Sequence, residues 1–167
     1  MSSPYIQRGV GLIEVLVALL LLAIGVLGYS ALQLRANGAA IEANDRTIAM
    51  NIARDLAERM RINRTAFETY KAAINTKTRT TTCYATPTAN YVPGCNETQM
   101  ANADAWEIHQ KAEAYGHTIK LNTCKGSSIH CIYIAWGKTD ISSNLDTCVS
   151  STGTYVSNSQ CLVMEAF

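Results

Sequence analysis

Residues 10–34 read VGLIEVLVALLLLAIGVLGYSALQL, and Glu14 is the one charged side chain among them. The twenty residues from Val15 to Leu34 carry no charge at all. At about 1.5 Å rise per residue, such a helix reaches roughly 30 Å, the thickness of a bilayer's hydrocarbon core. The stretch therefore predicts a membrane-spanning helix. A carboxylate at the edge of that helix is costly to keep, which marks Glu14 as a functional residue.

What precedes the apolar run is the short polar stretch MSSPYIQRG, whose only formal charge is Arg8. A secretory signal has an apolar middle of about 7 to 15 residues followed by a small-residue cleavage site. Here the run is longer, and residues 31–57 continue in helix-forming sequence instead of a turn. The processing point this pattern favours lies before the apolar run, at Gly9. Beyond the run come Arg35, Glu42, Asp45 and Arg46, so the charge bias that sets membrane orientation is weak. The shortness of the leader favours an amino end in the cytoplasm and a carboxyl domain outside.

Arg8-Gly9, then Val10-Gly11-Leu12-Ile13-Glu14, then a long apolar helix, resembles the class III leader of type IV pilins and pseudopilins. In that family a prepilin peptidase cuts after the glycine and commonly methylates the new amino terminus. The resemblance implies cleavage between Gly9 and Val10, a modified N-terminus at Val10, and an assembly role for Glu14. Val10 stands where the family most often has phenylalanine, and Gly11 where it often has threonine or serine. The physics of the motif is independent of the family. A cut after Gly9 creates an amine on Val10, with the Glu14 carboxylate about 6 Å up the helix axis. In a lipid-like medium these charges attract strongly, and helices stacked with an axial offset bring the amine of one subunit to the carboxylate of its neighbour. The plainer reading is that Glu14 only marks the interfacial end of a signal anchor.

All six cysteines, Cys83, Cys95, Cys124, Cys131, Cys148 and Cys161, lie beyond the apolar helix, and no Cys-x-x-Cys pair occurs. An even number outside the membrane predicts disulfides in an oxidising compartment. Sequential pairing is the expectation, because each successive pair brackets a loop rich in Gly, Asn or Ser. Zinc is the competing reading, but the spacings are irregular and His130 merely adjoins Cys131. With a net charge of +1 and no basic patch, nucleic-acid binding has no electrostatic support. His109, His117 and His130 sit in no nucleophile context, and neither a G-x-S-x-G nor a phosphate loop occurs, which argues against a membrane-tethered hydrolase or thiol oxidoreductase and against a cofactor.

Residues 36–75 are proline-free and rich in helix formers, with Ile41, Ile48, Ile52, Leu56, Met60, Phe67, Tyr70 and Ile74 at steps that keep one face dry. They predict a continuation of the membrane helix as one rod, with Gly25, Gly28 and Gly38 as its weak points. Asp55 and Arg59, four apart, support the wet face. Arg54, Arg59, Arg61 and Arg64 with Asp55 and Glu58 form either a subunit contact or, more simply, a solvated face. Residues 76–82, TKTRTTT, break the period and open a polar loop. A second helix is expected over 101–114 on a stripe of Ala105, Ile108 and Ala112. Strands are expected over 117–122, 129–136 and 161–167, with Tyr133 and Trp136 in the core. An antiparallel sheet packed on the long helix gives an α+β fold.

The run LIEVLVALLLLAIGVLGYSALQLRAN, the segment ARDLAERMRINR at residues 53–64, and Asp104-Ala105-Trp106 together resemble the minor pilins of the type IV pilus modification (PilV) group. The resemblance is good over about the first 65 residues and loose beyond. It implies a type IV pilin-like fold divided into a leader (1–9), a transmembrane and assembly helix (10–34), an amphipathic helix entering the head (35–75) and a disulfide-containing head (76–167). It further implies processing by prepilin peptidase, residence in the inner membrane with the head in the periplasm, and assembly with other minor pilins and the major pilin at the start or tip of a fibre, with an influence on adhesion. The leader is shared with minor pseudopilins of type II secretion, and ARDLAERMRINR is the stretch that favours the pilus. A signal-anchored envelope binding protein is the remaining alternative.

Overall fold

The computed structural model describes residues 11–77, 83 and 94–166. Helix α1 runs Leu12–Ile62, a single 3-10 turn follows at Arg64–Ala66, and α2 spans Phe67–Thr76. Helix α3, Glu97–Ala114, leads into strands β1 (Thr118–Thr123), β2 (His130–Ala135) and β3 (Cys161–Glu165). The strands form one antiparallel sheet in the order β1-β2-β3. The chain is thus a long, apolar N-terminal helix followed by a small three-stranded head, an α+β architecture. It divides into two units after Ala43.

The head is organised by β2, in which Cys131 to Ala135 are all buried. A strand buried on both faces needs a layer on each. On one face, Ile119, Leu121, Ile132, Ile134 and Trp136 join Ile52, Leu56 and Met60 of α1, Tyr70 and Ile74 of α2, and Ile108 of α3 in the main core. On the other face, Tyr133 and Ala135 pack with Ile141, Val149 and four disulfide-bonded cysteines. The second layer is therefore the covalently closed loops between and beyond the strands. Disulfides join Cys83 to Cys95, Cys124 to Cys131 and Cys148 to Cys161, the sequential arrangement. Rings of this size each stabilise a fold by about 2–3 kcal/mol in the chain-entropy account. Two of the loops touch backbone to backbone: a Cβ on Gly153 would lie 2.7 Å from the Lys125 carbonyl oxygen, so only glycine fits.

The rod expected over residues 36–75 is interrupted. Asn63 leaves the helical region, at φ −116° and ψ 58°, and its side-chain amide donates to the Glu97 carbonyl at 2.8 Å. Thr65 Oγ1 donates to the Glu97 carboxylate at 2.6 Å. These contacts fasten the break to the start of α3 and set α2 on a new course against α3. Neither proline nor glycine marks the site; the side chains of Asn63 and Thr65 instead bind Glu97 at the distant start of α3.

Helix α3 begins at Glu97, a full turn before the expected residue 101. Asn96 Oδ1 accepts from Gln99 N–H at 2.8 Å while Gln99 Oε1 accepts from Asn96 N–H at 3.0 Å, a reciprocal capping box. At its other end, Gly116 adopts φ 71°, letting Gly116 N–H reach the Glu113 carbonyl and His117 N–H that of Ala112. This is the double hydrogen bond of a glycine-terminated helix. The three strands fall within two residues of their expected limits.

The outer edge of β1 is closed by a side chain. Asn75 Nδ2 donates to the Leu121 carbonyl at 2.8 Å, and Leu121 N–H donates to Asn75 Oδ1 at 3.1 Å, so one amide stands in for a neighbouring strand. Asn75→Ala strands both backbone groups at a residue of zero exposure. The expected cost is about 1–3 kcal/mol, read as a lower urea midpoint at unchanged slope.

Candidate functional site

Two groups of residues invite a functional reading: the exposed amino-terminal part of α1, and the charged cluster on the head portion of the same helix.

Every residue from Gly11 to Ile41 is exposed, including Leu12, Leu16, Leu20, Ile24, Leu27 and Leu34. The segment is long and apolar enough to cross a membrane, and none of its most apolar window is buried. Ser30, one of its few polar side chains, returns its hydroxyl to the Val26 carbonyl at 2.8 Å, which suits an environment without water. Among the described residues, and leaving aside the helix's own backbone, Gly25, Gly28 and Gly38 have no atom within 4 Å of an added Cβ. Glu14 sits in the first turn, where the helix's orphan N–H groups favour an anion. The expected cleavage residues Gly9 and Val10 lie outside the described residues. The surface from Leu12 onward can therefore do one thing chemically: be covered by lipid or by other apolar helices.

The second group resolves differently from either expectation. Arg59 and Asp55 neither face solvent alone nor stay available to another subunit. Arg59 Nε meets Asp55 at 2.8 Å, while its Nη1 meets Asp104 at 2.7 Å and Glu107 at 2.9 Å. Lys111 reaches the second oxygen of Asp55 at 2.8 Å, and the Tyr70 hydroxyl donates to Asp104. One guanidinium thus ties α1 to α2 and α3. Burial by itself would weaken the hold of Arg59 on its proton, yet hydrogen bonds to Glu107, Asp55 and Asp104 more than reverse this. For Asp55, burial works against the charged form, and the bonds from Arg59 and Lys111 outweigh it, leaving the carboxyl below its ordinary value. Arg61 makes a surface pair with Glu58 at 3.1 Å, and Arg54 and Arg64 lie on the surface. Sequence reasoning missed Asp104, Glu107, Lys111 and Tyr70 as partners. The available signal was Asp104, an acid set among Ala101, Ala105, Ile108 and Ala112 on the apolar stripe of α3.

The three histidines are held by structure. His109 Nε2 lies 2.8 Å from the Ile74 carbonyl, which can only accept, so this nitrogen carries the proton. Its pKa is lowered by burial. Both nitrogens of His117 face carbonyls, of Tyr115 at 2.9 Å and Asp45 at 3.2 Å, and His130 packs edge-on against Phe67. Tyr133 and Trp136 are buried, at 0% and 3% exposure. Among the described residues no three His, Cys, Asp or Glu side chains converge as metal ligands.

With this geometry in view, the comparisons fall on the same two parts of the chain. Residues 6–30 match the prokaryotic N-terminal methylation motif, and residues 31–106 match the family described as Type IV pilin Tt1218. The chain is thus similar to type IV pilins through the apolar helix, α2 and the first part of α3, a range that includes Asp55, Arg59, Tyr70 and Asp104. No match is found among curated proteins or among solved structures.

Two outcomes follow for the head. Arg59→Met takes from the buried Asp104 carboxylate the cation it pairs with and is expected to cost about 3–5 kcal/mol, the usual penalty for breaking a buried pair, measured by urea unfolding. His109 supplies a pH dependence: its native pKa lies below the ordinary 6.5, so the unfolded chain binds more protons than the native one as pH falls through that value. Stability is expected to decline there and to level off once the native ring is protonated, and His109→Gln should remove this share of the decline in pH-dependent melting.

Proposed function

We propose that the chain is a pilin subunit of a type IV pilus, made as a precursor, cut by prepilin peptidase between Gly9 and Val10, and methylated on Val10. The observation that carries this reading is the methylation motif at residues 6–30 continuing directly into the type IV pilin match at 31–106, with residues 11–41 of the helix that joins them all exposed. In the membrane the helix is covered by lipid; in a fibre it is covered by the helices of neighbouring subunits. The Val10 amine of one subunit meeting Glu14 of the next neutralises both charges and sets the axial register. The head, oxidised at three disulfides, faces the periplasm before assembly.

Within that reading the chain is a minor pilin of the PilV type, joining other minor pilins to begin or cap a fibre carried by the major pilin, with an effect on adhesion. Support comes from ARDLAERMRINR at residues 53–64 and its likeness to that group. The second reading, a minor pseudopilin of type II secretion, shares the leader and differs in the fibre it enters.

Intact mass of the membrane-extracted chain, with and without prepilin peptidase, tests the precursor step. Loss of Met1 to Gly9 and gain of one methyl group are expected only with the peptidase, and an uncut chain in both cells sinks the pilin reading. Glu14→Ala is expected to be cut normally yet to disappear from sheared fibres, because an unpaired buried amine costs about 3–5 kcal/mol. Recovery from pilus rather than secretion-system mutants separates the two fibres.

A further inference from the structure

The two edges of the sheet are closed in different ways, and the difference points to a partner. On β1 the Asn75 amide occupies both backbone groups of Leu121. On β3, among the described residues, the side-chain closure is a hydroxyl. Trp136 N–H donates to the Gln160 carbonyl at 3.0 Å and Ala166 N–H to that of His130 at 2.8 Å. The even-numbered residues of β3 therefore face β2, and Cys161, Val163 and Glu165 turn their backbone groups outward. Of these, Val163 N–H is taken by the Tyr155 hydroxyl at 3.0 Å. Tyr155 comes from the Cys148–Cys161 ring and is 51% exposed. Beside it lies a cleft of about 310 Å³ lined by Arg46, Tyr155, Val156, Ser159, Cys161 and Leu162.

We propose that the outer edge of β3 pairs antiparallel with β3 of a second copy of this chain, centred on Val163, with Tyr155 as a latch that gives way. The edge is self-complementary about that centre. Val163 falls opposite Val163, Leu162 opposite Met164, and Cys161 opposite Glu165, so all three outward residues fall in hydrogen-bonding register, and Cys161, which is 3% exposed, pairs once the Tyr155 latch has moved aside. The same register carries Glu165 of the second copy to the cleft lined by Arg46, and the two-fold axis repeats the contact. Glu165 is the strand's only charge, and β3 has no lysine, proline or bulge to repel a neighbour. The exposed apolar side chains of Tyr155 and Val156 border the seam. This pairing is independent of the axial contacts made by the amino-terminal helix and goes beyond the pilin reading.

The test uses the full-length chain in detergent, with mass followed by sedimentation equilibrium over a range of concentrations. Wild type is expected to dimerise, and Tyr155→Phe to tighten the dimer roughly tenfold or more, since two latches cease to compete. Val163→Pro removes the outward N–H while sparing every bond to β2, and is expected to be monomeric with its three disulfides intact. Should that variant misfold, charge exchange decides: Glu165→Arg weakens the dimer, and adding Arg46→Glu restores it. Dimers equally strong in Val163→Pro or unmoved by the charge exchange would arise elsewhere and overturn the proposal. So would wild type and Tyr155→Phe that both stay monomeric.

Discussion

Helix α1 must satisfy two solvents in one unbroken run of hydrogen-bonded turns, and that requirement shapes the rest of the molecule. From Leu12 to Ile41 its residues are all exposed, and from Ala49 to Met60 its buried face is completely dry. The first part is apolar all round, as a segment solvated by hydrocarbon must be. The second is amphipathic, with Ala49 and Ala53 small enough to let the rest of the head approach closely between Ile52 and Leu56. A helix that gives only a narrow stripe to the head cannot by itself cover a sheet with a doubly buried central strand. The chain supplies the remainder with α2, α3 and the disulfide loops.

Arg59 is the polar counterpart of that apolar stripe. It lies one residue before the last buried position of α1, and it gathers carboxylates from its own helix and from α3 while Tyr70 of α2 holds one of them from the far side. Dispersion and hydrophobic burial would tolerate several rotations of α3 against α1. A guanidinium with directional donors does not, because a misaligned helix would leave Asp104 buried without its cation. The cluster thus fixes the relative setting of three helices that the alanine-rich contacts leave loosely specified.

The sequence made some of this readable and hid other parts, for physical reasons. The apolar run with Glu14 was legible because composition alone decides what can live in lipid. The strands were legible because alternation survives in β1 and β-branched residues crowd β2, and the cysteine pairing because each bridge closes a short local loop. The break at Asn63 was not legible, since what ends the helix is a contact with Glu97, a residue far along the chain. Arg59 was misread for a related reason. An i, i+4 pair with Asp55 looks the same on a solvated face and in a network, and only the docking of α3 distinguishes them. The start of α3 could have been found, because Asn96 and Gln99 stand at the spacing of a reciprocal cap.

The order of the disulfides bears on how the head is made. Each cysteine is bridged to the very next one in the chain, across separations of 12, 7 and 13 residues, and no ring encloses another. Were the head delivered across a membrane with the amino-terminal helix held in the bilayer, the residues nearest that helix would emerge first and these thiols would appear one after another. At each step the nearest available partner is also the native one, so oxidation can keep pace with emergence and needs no later reshuffling. The head's covalent pattern is therefore suited to vectorial delivery: its three closures can be completed in sequence while the apolar helix still anchors the chain behind them.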